Sequence, residues 1–126
     1  AFLGNGNDSW FDNDQSTFGD DFVKGGSGND TLRAGGGDDT LGGGGGSDTF
    51  IFAAAIDDDS VTDYDVGVDV LQFNATLWNG TLDQARLDAL TSVVNGNLVF
   101  TFDNGDTLTL SGVTSTTGLL GDISLF

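Results

Sequence analysis

Between Gly25 and Phe50 one apolar side chain returns every nine residues, as Leu32, Leu41 and Phe50. Each follows Asp-Thr, and each Asp-Thr follows a glycine-rich run. Three units are clear: 25–33, 34–42 and 43–51. A weaker unit spans Ser16–Lys24 through Gly19, Asp21 and Val23. Another spans Leu3–Phe11 through Gly4, Gly6, Asp8 and Trp10, with four extra residues, Asp12 to Gln15, between the two. The glycines allow a tight turn over the first six positions of a unit. The last three predict a short strand whose middle side chain points one way and whose flanks point the other. Val23, Leu32, Leu41 and Phe50 then share a face, with Trp10 as core rather than a binding aromatic. One unit buries almost nothing, but stacked units share a continuous core. A flexible linker has no use for such a register.

After Phe50 the pattern changes, and the chain divides into zones 1–52 and 53–126. Phe50-Ile51-Phe52 prolongs the last repeat as an apolar strand. Thr81 and Gln84 have capping-box spacing, and Leu82, Ala85, Leu87 and Leu90 predict a short structural helix over about 82–91. Leu98, Phe100 and Phe102 alternate with polar or smaller residues, as do Leu108 and Leu110, so 98–110 predicts a hairpin turning at Asn104-Gly105. A two-residue turn would set phenylalanines opposite threonines. A three-residue loop, Asp103-Asn104-Gly105 with Gly105 as the bulge residue, pairs Phe100 with Leu108 and Leu98 with Leu110. A one-residue slip flips every side chain, which favours the second register. Asn95-Gly96 predicts another hairpin turn.

Charge changes the picture. The chain has 126 residues, 20 of them acidic and 3 basic, a formal net charge of −17. Nucleic acid and anionic membrane are poor partners for it, since both need basic patches. Cations suit it. Cysteine, histidine and glutamate are absent, which removes disulfides and the usual zinc ligands. No apolar run is long enough to span a membrane. The N-terminus carries no charged-then-apolar leader and opens in mid-pattern, which reads as a piece of something longer. Each turn offers a carboxylate and several carbonyl oxygens in a concave loop. Oxygen-only ligands at flexible spacing suit Ca²⁺; Mg²⁺ demands stricter geometry and keeps its waters. The EF-hand spacing does not occur.

These units resemble the glycine-aspartate nonapeptide repeats of the RTX (repeat-in-toxin) proteins, secreted by Gram-negative bacteria. The resemblance implies an all-β fold: a right-handed parallel β-roll, two nonapeptides per coil, continued by an antiparallel region with one short helix. It also implies Ca²⁺ between stacked turns on both edges, roughly three to five ions here. The turn of Asp21 would stack on that of Asp39, and the turn of Asp30 on that of Asp48. These four aspartates would be ligands, with carbonyls of Gly26, Gly28, Gly35, Gly37, Gly44 and Gly46 completing the shells. Asp8 is either a ligand or a solvated turn residue, because its unit departs from the pattern at Leu3 and precedes the insertion. Ile56–Phe73, IDDDSVTDYDVGVDVLQF, is similar to the segment that closes many RTX rolls, with Asp63, Tyr64, Gly67 and Asp69 in the matching places and Gln72 where Asp is usual. By that likeness Asp63 and Asp69 bind the last ion. The run Asp57-Asp58-Asp59 reads first as a solvated acidic turn, with Asp59 an alternative ligand. The ending Gly121-Asp122-Ile123-Ser124-Leu125-Phe126 looks like an uncleaved C-terminal type I secretion signal, and equally like a last β-strand.

The expected function is a secreted, extracellular, non-catalytic Ca²⁺-binding module of a larger exoprotein. It folds on Ca²⁺ outside the cell, engages the type I secretion machinery and sits beside an upstream catalytic or adhesive domain. The alternative is a carbohydrate- or surface-binding module. Lys24, Arg33 and Arg86 are too few for an acidic glycan, which leaves a neutral glycan or an adhesive or ice-binding surface. An enzyme would need an Asp pair or a hydroxyl, and the aspartates are better explained as ligands.

Overall fold

The computed structural model describes residues 1–12 and 19–126. Asn13–Phe18, which include most of the insertion and the start of the Ser16–Lys24 unit, lie outside the described residues. Eight strands alternate between two sheets: β1 (Phe2–Asn5), β2 (Ser9–Phe11), β3 (Phe22–Ser27), β4 (Thr31–Ala34), β5 (Thr40–Gly45), β6 (Thr49–Phe52), β7 (Asp58–Val61) and β8 (Val70–Phe73). Odd-numbered strands pair in parallel in one sheet and even-numbered strands in the other, which makes a parallel β-roll. Two nonapeptides make one coil, so Val23 lies beside Leu41 and Leu32 beside Phe50. The inward set is fully buried: Val23, Leu32, Leu41, Phe50, Val61 and Leu71. Trp10 packs half-buried against this core at the open first coil.

The roll does not stop at residue 52. β7 pairs with β5 and β8 with β6, so the closing segment forms one more coil. The sheets are then extended by α1 (Ala75–Trp78), α2 (Gln84–Leu90), β9 (Thr91–Val94), β10 (Asn97–Thr101), β11 (Thr107–Leu110) and β12 (Ile123–Leu125). β11 joins β7 in parallel and carries β10 and β9 as an antiparallel meander, while β12 joins β8 in parallel. The hairpin has the expected register, Leu98 with Leu110 and Phe100 with Leu108, and Gly105 takes φ +94°. Asn95 and Gly96 both have positive φ, as a two-residue hairpin turn requires. Phe73 anchors this end, its ring centroid within 5.5–5.7 Å of those of Phe52, Trp78, Phe100 and Phe102.

The helix sits where its apolar spacing predicts, but its cap differs. The N-cap is Asp83, whose carboxylate accepts the Arg86 N–H at 2.8 Å. Thr81 does not cap it. Its carbonyl instead accepts the Trp78 indole N–H at 3.0 Å, which satisfies the donor of a buried ring. A second helical turn, α1, was not legible in the pattern. Asn74 caps it by accepting from Thr76 N–H.

Candidate metal centre

Each aspartate of the repeat ends its turn and begins a strand. This places its side chain against the next coil, and a ladder results. On the first edge, where the odd strands turn into the even ones, Asp8 N–H donates to Asp30 Oδ1 at 2.8 Å, Asp30 N–H to Asp48 Oδ1 at 2.9 Å, and Asp48 N–H to Asp69 Oδ1 at 2.9 Å. On the second edge Asp21 N–H donates to Asp39 Oδ1 at 2.9 Å and Asp39 N–H to Asp59 Oδ1 at 2.8 Å. The expected stacking of Asp21 on Asp39 and of Asp30 on Asp48 is present. The insertion after the first unit has not broken it, because Asp8 still lies over Asp30.

Oδ1 of Asp30, Asp39, Asp48 and Asp59 is thus held by the neighbouring coil. The other oxygen is not. Oδ2 of Asp8, Asp30, Asp39, Asp48 and Asp59 is buried without a hydrogen-bond partner. A buried carboxylate oxygen with no donor costs several kcal/mol, on the order of 1–3 or more. Three such atoms on the first edge and two on the second call for positive charge. Backbone oxygens crowd the same places. A Cβ built on Gly25 would lie 2.2 Å from Asp30 Oδ2 and 2.6 Å from the Gly43 carbonyl oxygen. A Cβ on Gly43 would lie 2.1 Å from Asp48 Oδ2. Only glycine leaves that space open. The carbonyls of Gly26 and Gly28 press on the Cα atoms of Gly44 and Gly46 in the next coil, where a Cβ would come within 2.0 and 2.2 Å. Gly37 receives the Gly19 carbonyl in the same way, and Gly35 lies under the Asp12 carboxylate. Gly26, Gly28, Gly37, Gly44 and Gly46 all have positive φ, which turns successive carbonyls toward the gap between coils.

Among the described residues no group of three carboxylates converges on one point. An ion held here would therefore draw most of its oxygens from the backbone. That donor set fits Ca²⁺ and not Zn²⁺.

Asp63 and Asp69 are engaged differently. Asp63 Oδ1 and Oδ2 accept the N–H groups of Gly43 and Gly44, each at 2.9 Å. Asp69 takes Asp48 N–H on Oδ1 and Asp65 N–H on Oδ2. An ion at either would use the remaining lone pairs. Asp59 is the residue that sequence reasoning undervalued: it is 1% exposed and not a solvated turn residue. Asp59-Ser60-Val61 repeats the triplet Asp39-Thr40-Leu41, a signal hidden because the offset is 20 and not 18. Gly25 and Gly43 were also missed, since they lie one residue before the glycines with positive φ.

Burial pushes the carboxyls of Asp39, Asp48 and Asp69 above the usual range, opposed by the backbone N–H bonds they accept and reinforced by neighbouring carboxylates. Asp59 is pushed up to about 8, first by burial and then by repulsion from Asp39, Asp38 and Asp57.

Residues 16–50 match the RTX calcium-binding nonapeptide repeat family, described as four copies. These residues are RTX repeats. A search of curated proteins returned no match. Among solved structures the chain is similar to the extracellular lipase LipA from Serratia marcescens, with TM-score 0.59 and 24% identity over 96% of this chain. The chain spans 20% of the length of that structure, and the likeness is one of fold. Repeats of this family are calcium-binding.

Proposed function

We propose that the chain is a Ca²⁺-binding, secretion-associated module of a larger exoprotein, non-catalytic in itself, which folds when it meets Ca²⁺ outside the cell. The observation that carries this reading is the set of five buried, unpartnered Asp oxygens between coils, three on one edge and two on the other. Asp8, Asp21, Asp30, Asp39 and Asp48 would supply carboxylate oxygens, with Asp59 added, and Asp63 and Asp69 would hold the last turns. Carbonyls of Gly26, Gly28, Gly35, Gly37, Gly44 and Gly46 would complete the shells, joined by that of Gly43. One ion at each of the five stacked Asp pairs would make up to five ions.

Without the ion, carboxylates repel and glycine-rich turns are entropically costly to order. The binding energy of Ca²⁺ then becomes folding energy. Extracellular modules bind Ca²⁺ with Kd around 10⁻⁴–10⁻³ M, so the chain would stay open in a low-calcium cytoplasm and close outside. Roughly four ions would neutralise about eight charges and leave the surface acidic and soluble. Asp122 and the strand after it would carry the type I secretion signal.

The test is far-UV circular dichroism during Ca²⁺ titration, with Mg²⁺ as control. A cooperative gain of β-signal in Ca²⁺ alone is expected, and Asp39→Ala should shift it to higher Ca²⁺. An unchanged Ca²⁺ dependence in that variant would sink the stacking scheme. Export of a cargo fused ahead of the chain, lost on deleting Leu119–Phe126, tests the signal.

A further inference from the structure

A second ladder runs outside the first, built from the residue before each key aspartate. On the first edge Asn29 N–H donates to Asn7 Oδ1 at 2.8 Å and Ser47 N–H to Asn29 Oδ1 at 2.9 Å. On the second edge Asp38 N–H donates to Asp20 Oδ1 at 2.9 Å and Asp58 N–H to Asp38 Oδ1 at 3.1 Å. The direction is opposite to that of the inner ladder. Inside, the earlier coil donates to the later carboxylate; outside, the later coil donates to the earlier side chain.

The two edges make the same bonds with different chemistry. An amide oxygen is a sufficient acceptor, as Asn7 and Asn29 demonstrate. The fold therefore does not require charge at Asp20 or Asp38, and Asp58 ends the ladder, its carboxylate accepting from the Thr107 hydroxyl at 2.9 Å. All three are exposed. Across three stacked turns the first edge reads Asn7-Asp8, Asn29-Asp30 and Ser47-Asp48, while the second reads Asp20-Asp21, Asp38-Asp39 and Asp58-Asp59. Over these three turns the second edge carries six carboxylates to the first edge's three, while Asp63, Asp65 and Asp69 gather at the first edge's fourth turn. Beside them lie Oδ2 of Asp39 and Asp59, in side chains 2% and 1% exposed and without partners. The outer charges also reach the inner row, since Asp38 repels the Asp59 carboxylate.

We propose that the two edges are unequal cation sites, the second edge being the tighter, and that the outer carboxylates of Asp20, Asp38 and Asp58 set the difference. This rests on the Ca²⁺ reading above. Neutral outer acceptors hold the backbone without adding attraction. Charged ones hold it equally and repel the inner row until a divalent ion relieves them. Because these charges are exposed, their effect is screened, and the gap between edges narrows as salt rises.

The experiment compares Ca²⁺ titration calorimetry of the full chain with that of Asp38→Asn, Asn29→Asp and Asp88→Asn. Asp38→Asn keeps the acceptor oxygen and imitates Asn29. Asp88 is exposed on α2, and its replacement removes the same net charge away from the roll. A solvent-screened unit charge near a divalent ion changes affinity by roughly three- to tenfold. Asp38→Asn should weaken the tight phase by that factor at low salt, and Asn29→Asp should strengthen the weak phase. Asp88→Asn should move neither by more than about twofold. In the parent, the amide resonance of Gly37 should saturate before that of Gly46. Ca²⁺ uptake with Asp38→Asn no weaker than Asp88→Asn overturns this proposal alone. A parent chain that takes up no Ca²⁺ overturns both it and the reading beneath it.

Discussion

Replacing Asp59 by Asn should reverse sign with calcium. The carboxyl of Asp59 is pushed from 3.8 to about 8 in the folded, metal-free chain. Below about pH 4 it is neutral folded or unfolded, and contributes nothing to the balance. From there to about pH 8 the unfolded chain has lost the proton and the folded chain keeps it, so stability falls by about 1.4 kcal/mol per pH unit. Above pH 8 the full penalty applies. A shift of about four units sets its ceiling at roughly 6 kcal/mol, comparable to the whole stability of a small domain. An Asn at this position keeps an oxygen for the Asp39 N–H bond and carries no charge to bury. In chelator at pH 7.5, Asp59→Asn should stabilise the fold by several kcal/mol, up to about 5, and the gain should vanish near pH 4. In Ca²⁺ the variant has lost a ligand, and its folding midpoint should rise to higher Ca²⁺. The assay is urea unfolding by circular dichroism from pH 4 to 8, or osmolyte-induced refolding where the metal-free parent is already open. An Asp59→Asn chain less stable than the parent in chelator at pH 7.5 would refute the reasoning, since Asp59 would then not be an unrelieved buried charge.

Other consequences follow from single positions. Gly44→Ala puts a Cβ 2.0 Å from the Gly26 carbonyl at φ +93°, and should cost about 3 kcal/mol or more in thermal or denaturant unfolding with Ca²⁺ present. Gly45→Ala, next to it, meets nothing within 4 Å and should be nearly neutral, so equal effects would contradict the coil-to-coil packing. Asp122 accepts from Gly67 N–H at 2.8 Å and from the Tyr64 hydroxyl at 3.2 Å. Asp122→Ala should therefore cost about 1–3 kcal/mol and speed hydrogen exchange in β12 while the repeats stay protected. Arg86 bonds the Trp78 carbonyl and the Asp103 carboxylate. Arg86→Met should loosen α2 in exchange measurements without moving the Ca²⁺ midpoint.

The sequence by itself determined the repeating part. A nine-residue period with one inward apolar residue marks the strands, and the glycines mark where a side chain cannot stand. Leu32 beside Phe50 and Asp30 beside Asp48 follow from that period once two units make one coil, which the resemblance to RTX repeats implied. The hairpin register was legible for a similar reason, since any slip would put Leu98 and Phe100 in water. Tertiary structure decided whatever the period does not reach. Coil offsets of 22 before the perfect units, and of 20 and 21 after them, come from backbone pairing. Those offsets carried Asp59 and Asp69 into the ladder. The helix cap fell to Asp83 and not Thr81, because the helix begins at Gln84, where the Asp83 carboxylate reaches the Arg86 N–H. The unpartnered oxygens arose last, because an aspartate's neighbour across a coil is about twenty residues away, and only folding reveals which of its two oxygens that neighbour leaves free.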